Sequence, residues 1–430
     1  MRQSVCGKSI KGIMRMEKIK FYNMNGIHCW IINLKPFEPD EPNDKIRSLQ
    51  EDCVQNKIFG IGWRTGYFDT HTKVTLDEHT KKAYKDTLKP NDKSARNATD
   101  RMSEIKCGDL AIMRLRDGHI YLGKVTEPAF HDSTILSKEN SSRLSWMCKV
   151  EKWLEFSDET LIPSEIMGRF SQRRQATITP IVRYKQRLLM LAMYDMKNSG
   201  KTDVPKVILN ENNFTRALSY VDLEDWVCAY IYSKHADDGY MLLPSSGKVS
   251  RIKYEFTFVS NKSDRKPITC QVKNQNSEPI NIADYENDKD IYEKIYLFSG
   301  NNNFANRELA KVNIEIIDRS ELFNVVKNSS CKFMYDKLSK YHSFSESPNL
   351  KKLEETLYSN KKGWKPRKKF SKGSGDFKKY KVGKHETGEI SWIYFGYDGL
   401  YITDEFDSFI IDWQDKNTEK IIEQLKKDLM

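Results

Sequence analysis

Two short apolar runs, Ile252 to Val259 and Ile268 to Asn274, flank the polar stretch Ser260 to Lys266, and no other pattern constrains the fold as tightly. They predict a β-hairpin. Side chains alternate across a strand, so Gln271 and Lys273 share a face. A turn over residues 260–266 makes positions 255 and 271 cross-strand partners, whose side chains share a face as well. Glu255, Gln271 and Lys273 are thereby predicted to form one cluster: a carboxylate, an amide carbonyl and an amine. Metal-assisted phosphodiester hydrolysis needs such a set. Hard oxygens hold Mg²⁺, and a lysine orients or helps deprotonate the attacking water. A lone Gln-x-Lys is usually a solvated strand face, so the argument rests on its partners.

A chain of 430 residues is long for one domain. The net charge of +11 favours a polyanionic partner, nucleic acid before a membrane surface. Eight cysteines are scattered without a Cys-x-x-Cys pair, which reads as reduced thiols used as small core hydrophobes rather than a zinc site. No run approaches a transmembrane helix, and the basic N-terminus lacks an apolar signal-peptide core. A cytoplasmic protein without a membrane partner is expected. The histidines form no ligand set, and neither a Gly-rich phosphate loop nor a Gly-x-Ser-x-Gly motif is present.

The fold class expected is multidomain, α+β with α/β character. After an N-terminal extension at 1–17, residues 18–175 carry short strand signals at His28–Ile32, Ile58–Trp63, Asp109–Arg114, His119–Val125 and Trp146–Val150. Arg116-Asp117-Gly118 is a hairpin turn. These predict a small β-barrel with a helix near Leu76–Leu88. Residues 176–204 predict a connector helix whose Leu and Met stripe is packing surface. Residues 205–345 show an α-β-β-β-α-β order, with a helix over Val221–Ser233 and another opened by Asp318. Residues 346–389 form a basic linker or arm. Within it, 361–384 hold eleven Lys or Arg against one acid, Asp376. Like charge and glycine argue there against a packed core. Residues 390–430 predict a small α+β segment, with a hairpin about Asp398-Gly399 and a helix over Thr418–Leu429.

Glu224, on the helix before the hairpin, completes a pattern. Leu223-Glu224-Asp225-Trp226-Val227, then Gly239-Tyr240 opening the sheet, then Glu255, then Gln271-Val272-Lys273 resemble the Mrr-like branch of the PD-(D/E)xK restriction-endonuclease superfamily. The resemblance covers about 130 residues. It implies a restriction-endonuclease-like core using Mg²⁺ or Mn²⁺, held by Glu255 and the Gln271 carbonyl with Glu224 in support, and Lys273 positioning the water. One departure is visible: the family's strand acid is usually aspartate, where this chain has Glu255. Asp222 and Asp225 flank Glu224 and compete with it for the helix-acid role.

Trp30, Gly60-Ile61-Gly62-Trp63, Gly108-Asp109-Leu110 and Tyr121 to Val125 resemble the EVE/PUA-like β-barrels. That implies a module accepting a flipped, often modified base between aromatic walls. Trp30, Trp63 and Tyr67 are the candidate walls; the alternative for each is the barrel core. Arg173 and Arg174 are candidate phosphate contacts, as are Lys365, Arg367, Lys368 and Lys369 of the basic arm, whose interleaved aromatics would add stacking. The function expected is a Mg²⁺-dependent DNA endonuclease, modification-dependent and serving restriction or phage defence. Cutting both strands calls for a homodimer. A catalytically inactive DNA-binding or regulatory protein and an RNA-directed nuclease are the alternatives.

Overall fold

The computed structural model describes residues 27–34, 42–158, 161–170, 176–211, 214–244, 253–274, 278–328 and 331–344, and the backbone of 367–371, 376–384, 390–395, 399–402 and 408–412. The chain divides into two units, one of Phe21–Pro205 and one that holds the described residues from Lys206 onward.

In the first unit seven strands make one sheet: β1 (Cys29–Ile32), β2 (Ile58–Ile61), β3 (Lys73–Thr75), β4 (Leu110–Arg114), β5 (Ile120–Asp132), β6 (Trp146–Phe156) and β7 (Ile178–Pro180). Their order is β2-β6-β5-β4-β1-β7, with β3 paired to β5. Only β1 and β4 run parallel. The sheet curls into a half-barrel, not the closed barrel expected, because β2 and β7 pair on one side only. β5 is 13 residues long, and register shifts in its ladder with β6 let it bend. The turn at Asp117-Gly118 forms as its sequence predicts: Asp117 Oδ1 accepts from His119 N at 3.0 Å, and Gly118 sits at φ 95°.

Six helices of this unit are described: α1 (Asn43–Gln55), α2 (Tyr67–Thr70), α3 (Glu78–Thr87), α4 (Lys93–Glu104), α5 (Ser164–Phe170) and α6 (Tyr184–Ser199). Helix α3 lies where 76–88 was expected. It starts at Asp77, whose carboxylate accepts from Thr80 N at 2.7 Å while Thr80 Oγ1 accepts from Asp77 N at 2.9 Å. Helix α6, expected as a connector, belongs to the first unit and packs on β6 and α5. Its Leu188, Leu189, Met190 and Met193 are buried. Trp146, Tyr84, Phe59 and Phe68 fill the core, each large apolar side chain contributing roughly 1.5–3 kcal/mol.

The second unit carries β8 (Val207–Leu209), α7 (Phe214–Ala217), α8 (Tyr220–His235), β9 (Tyr240–Leu242), β10 (Phe256–Ser260), β11 (Ile268–Lys273), β12 (Ile280–Asn281), β13 (Lys294–Ser299), β14 (Phe304–Ala305), β15 (Ile314–Ile316), α9 (Arg319–Lys327), α10 (Lys332–Ser339) and β16 (His342–Phe344). Its main sheet has the order β15-β13-β11-β10-β9. The β9, β10 and β11 pairings are antiparallel, and β11, β13 and β15 run parallel. A 3₁₀ helix at Ile282–Asp288 leads into β13. Gly239 holds φ 74° before β9, and a Cβ there would collide with the side chain of Asn261. The architecture is mixed α+β.

Residues 367–412 depart from expectation. β17 (Arg367–Ser371), β18 (Asp376–Lys384), β19 (Ile390–Phe395), β20 (Gly399–Ile402) and β21 (Ser408–Asp412) form a five-stranded antiparallel sheet in chain order. Part of the expected arm is thus paired backbone. Charge density argues against burial, not against a strand that keeps a wet face. The hairpin about Asp398-Gly399 corresponds to β19 and β20. The helix expected over 418–429 lies outside the described residues. Among the described residues no helix is long and apolar enough to cross a membrane.

Candidate active site

Register builds the site. Phe256 pairs with Cys270, Thr257 with Thr269 and Phe258 with Ile268, so the ladder extended by one step sets Glu255 opposite Gln271. Glu255 N donates to Cys270 O at 2.8 Å, which fixes the backbone just before β10. Gln271 is 5% exposed, and its Nε2 donates to Glu255 Oε1 at 2.7 Å. Lys273 Nζ lies 3.5 Å from the same oxygen and is half-exposed. The three side chains meet as the strand alternation requires.

Glu224 joins them from α8, which packs against β11. Burial, then the negative charge of Glu255, then Asp225 push its carboxyl up to about 7, while Lys273 pulls the other way. Two carboxylates therefore sit in one another's field beside a single ammonium. The rivals on α8 have other places. Asp222 pairs with Lys337 at 2.8 Å and accepts from Ser219 Oγ at 2.6 Å where the helix begins. Asp225 is exposed.

A support under Glu255 is invisible in the sequence. Lys253 Nζ donates to Asp288 Oδ2 at 2.7 Å, and the Tyr254 hydroxyl donates to the same oxygen. Lys253 also lies over the Tyr285 ring, 4.2 Å from its centre. Asp288 ends the 3₁₀ helix, so this clamp ties the run into Glu255 to a segment some 35 residues away. A contact at that separation leaves no periodic trace.

The donors available are hard oxygens, the class Mg²⁺ or Mn²⁺ takes. The mutual repulsion of Glu224 and Glu255 is what a divalent cation would relieve, so these residues fit one. Two features narrow the fit. Among the described residues no three His, Cys, Asp or Glu side chains group at a metal-holding distance. Gln271 also presents its N–H₂ to Glu255, so as oriented it is the donor that positions Glu255. Serving as the expected co-ligand requires the amide to turn about its last torsion.

The candidate base-reading residues of the first unit are not alike. Trp30 lies in β1, the strand between β4 and β7, and is 2% exposed with its indole N–H donating to Asp109 Oδ2 at 2.9 Å. That corrects its expected role: it is core, not a wall open to a base. Trp63 and Tyr67 are half-buried against the same core. Trp63 holds φ 63°, strained for a non-glycine residue, and its carbonyl accepts from Tyr84 Oη at 2.6 Å. Tyr67 stacks on His71 with ring centres 4.1 Å apart. Arg173, Arg174 and Lys365 lie outside the described residues. Arg367, Lys368 and Lys369 lie in β17, where the backbone alone is described.

No protein-family model, curated protein or solved structure matches the chain.

Proposed function

We propose that this protein is a divalent-metal-dependent DNA endonuclease of the PD-(D/E)xK type, with Glu224, Glu255, Gln271 and Lys273 as its active site. The observation that carries the reading is the meeting of Glu255, Gln271 and Lys273 through hairpin register, beside a helix glutamate within electrostatic reach.

Glu255 and Glu224 would hold Mg²⁺ or Mn²⁺ between them. Bound there, the ion supplies Lewis-acid charge to the scissile phosphate. Gln271 keeps one Glu255 oxygen oriented, and the Lys253–Asp288–Tyr254 clamp holds the backbone beneath it. Lys273, half-exposed, places its ammonium where an attacking water and a phosphate oxygen both approach, orienting the first and stabilising charge on the second. The first unit, with Trp63 and Tyr67 at the edge of its aromatic core, is the reader of a modified base in this proposal, and a homodimer would supply two cuts.

The test incubates modified and unmodified duplex DNA with Mg²⁺, using wild-type protein and Lys273→Ala. Cleavage by the wild type, falling about 100-fold or more in the variant, is expected from removal of a charge that acts on the transition state. Equal products from the two proteins would end the assignment.

One observation favours the second reading, a non-catalytic DNA-binding protein: Glu255 already has two donors, Gln271 and Lys273. Duplex binding that needs the metal, with no cleavage, would establish that reading instead.

A further inference from the structure

Three segments meet beside Lys273: the corner between α7 and α8, the end of β11 and the loop after β13. Thr215 of α7 is 0% exposed, and its Oγ1 donates to Gly300 O at 3.1 Å. Gly300 N donates in turn to Lys273 O at 2.8 Å. Asn274, the residue after β11, donates from Nδ2 to Leu218 O at 3.3 Å. The two side-chain bonds join positions 85 and 56 residues apart in the chain. Gly300 leaves the room they need, since a Cβ there would meet the carbonyl and side-chain oxygens of Asn274.

These bonds hold the start of α8. Leu218 stands one residue before Ser219, which caps the helix by accepting from Asp222 N at 3.0 Å. Leu218 is 5% exposed, and the ladder of α8 begins at Ser219 O, which accepts from Leu223 N. The Leu218 carbonyl therefore needs a partner from outside the helix, and Asn274 supplies it. The cost falls on Asn274, whose buried Oδ1 has no donor among the described residues. An amide that leaves its oxygen unpaired in the interior is held there by its surroundings, not by its own preference. Glu224 follows one turn into the helix, and Lys273 directly precedes Asn274. Alternation turns Asn274 away from the face of Gln271 and Lys273, so its amide meets the helix corner and not the carboxylates.

We infer that Asn274 and Thr215 are positioning residues: through Leu218 O and Gly300 O they fix how far the helix bearing Glu224 stands from the strand bearing Lys273. The catalytic meaning of this rests on the nuclease reading, whereas the geometry does not. Both side chains act through the backbone they hold. A helix corner released from β11 and from the loop after β13 lets Glu224 drift from Glu255, and a misplacement of about 1 Å in a reacting set costs up to about 100-fold in rate.

The test begins without metal or DNA, on the full chain. Glu224→Gln, Glu255→Gln and the two together, compared with wild type by urea unfolding at pH 8, measure the coupling between the two carboxylates. The cycle is repeated in Asn274→Ala, Thr215→Val and Thr215→Ser. Valine keeps the shape of threonine without its hydroxyl, and serine restores the hydroxyl. The coupling falls by roughly half or more in the first two backgrounds and returns in the third. A control, Asn313→Ala, removes a bond of the same kind, Nδ2 to Lys289 O at 3.3 Å, and leaves the coupling as it was. If Asn274→Ala does not fold, Thr215→Val against Thr215→Ser gives the same comparison. Lower stability with undiminished coupling makes both residues structural only and overturns the inference, as does a wild type with no coupling. Cleavage with Mg²⁺ then reads the catalytic meaning. In Asn274→Ala and Thr215→Val, kcat falls about tenfold or more while KM stays within about twofold, and Thr215→Ser recovers the rate. A raised KM with kcat unchanged overturns positioning for catalysis. A wild type that cuts no DNA, while the coupling responds as stated, removes the nuclease reading and leaves the positioning of Glu224 standing.

Discussion

Glu224 is the residue on which the site's chemistry turns. Its pKa of about 7 in the folded protein lies above the ordinary 4.5, from burial first and then from Glu255. Between those two values the native state keeps a proton that the unfolded chain has released. Stability therefore falls as pH rises through that window, and the cost is fully present above it. Glu224→Gln removes the cost and keeps the shape. Without divalent ions, urea unfolding should find variant and wild type alike near pH 4.5, and the variant more stable at pH 8. The gap should be on the order of 1 kcal/mol once solvent screening of a half-buried group is allowed for. Equal midpoints at pH 8 would show that Glu224 does not carry the repulsion assigned to it. Glu224 was legible only through the resemblance of Leu223-Glu224-Asp225-Trp226-Val227 to the Mrr-like helix pattern. Its advantage over Asp222 was not, because the Asp222–Lys337 pair joins residues 115 apart in sequence.

At the scale of elements, the parallel pairing of β11 with β13, which sets Lys273 opposite Ser299, fixes where Lys273 stands. Gly300 N donates to Lys273 O at 2.8 Å, and a Cβ at Gly300 would collide with the carbonyl oxygen of Asn274. Gly300→Ala should therefore force the ends of the two strands apart. A loss of about 1–3 kcal/mol is expected from this overpacking, and cleavage should fall further than the remaining folded fraction accounts for. Denaturant titration alongside the nuclease assay separates the two effects. The hairpin was readable because a turn of known extent fixes register, and register fixes which side chains oppose. Helix α9 was readable from Asp318, which caps it, whereas the cap of α3, Asp77, is visible only in the structure. The strands at 367–371 and 376–384 were not legible, because dense like charge over 361–384 masks the local pairing. Phe370 pairs with Phe377 across that hairpin, and the aromatics expected to stack on bases were strand formers as well. The curl of the first sheet was not readable, because bulges between β5 and β6 depend on partners, not on either strand alone.

At the scale of the whole molecule, charge is unevenly divided. Residues 206–344, which hold the candidate active site, carry 19 Lys and Arg against 19 Asp and Glu. Much of that basic charge is paired internally: Arg265 with Asp238 and Glu293, Lys234 and Lys294 with Glu315, Lys253 with Asp288. The cationic excess lies in residues 1–205 and in 361–384, and the latter is followed by 385–430 with four Lys or Arg against eleven Asp or Glu. Binding and cutting should therefore be separable. Lys82, Lys89 and Lys93 of the first unit are exposed and make no ion pair among the described residues. Replacing all three with Gln should lower the slope of log K against log salt for duplex DNA by up to about 3, near 0.9 for each phosphate that is no longer neutralised. Lys273→Ala should leave affinity and slope within about twofold of wild type, since one half-exposed ammonium is a small part of a footprint spread over many phosphates. Fluorescence anisotropy across a salt series, without divalent ions, measures both. A slope that the triple variant leaves unchanged would move the nucleic-acid footprint off the face that α3 and α4 present, and a slope that Lys273→Ala lowers would place it over the catalytic sheet instead.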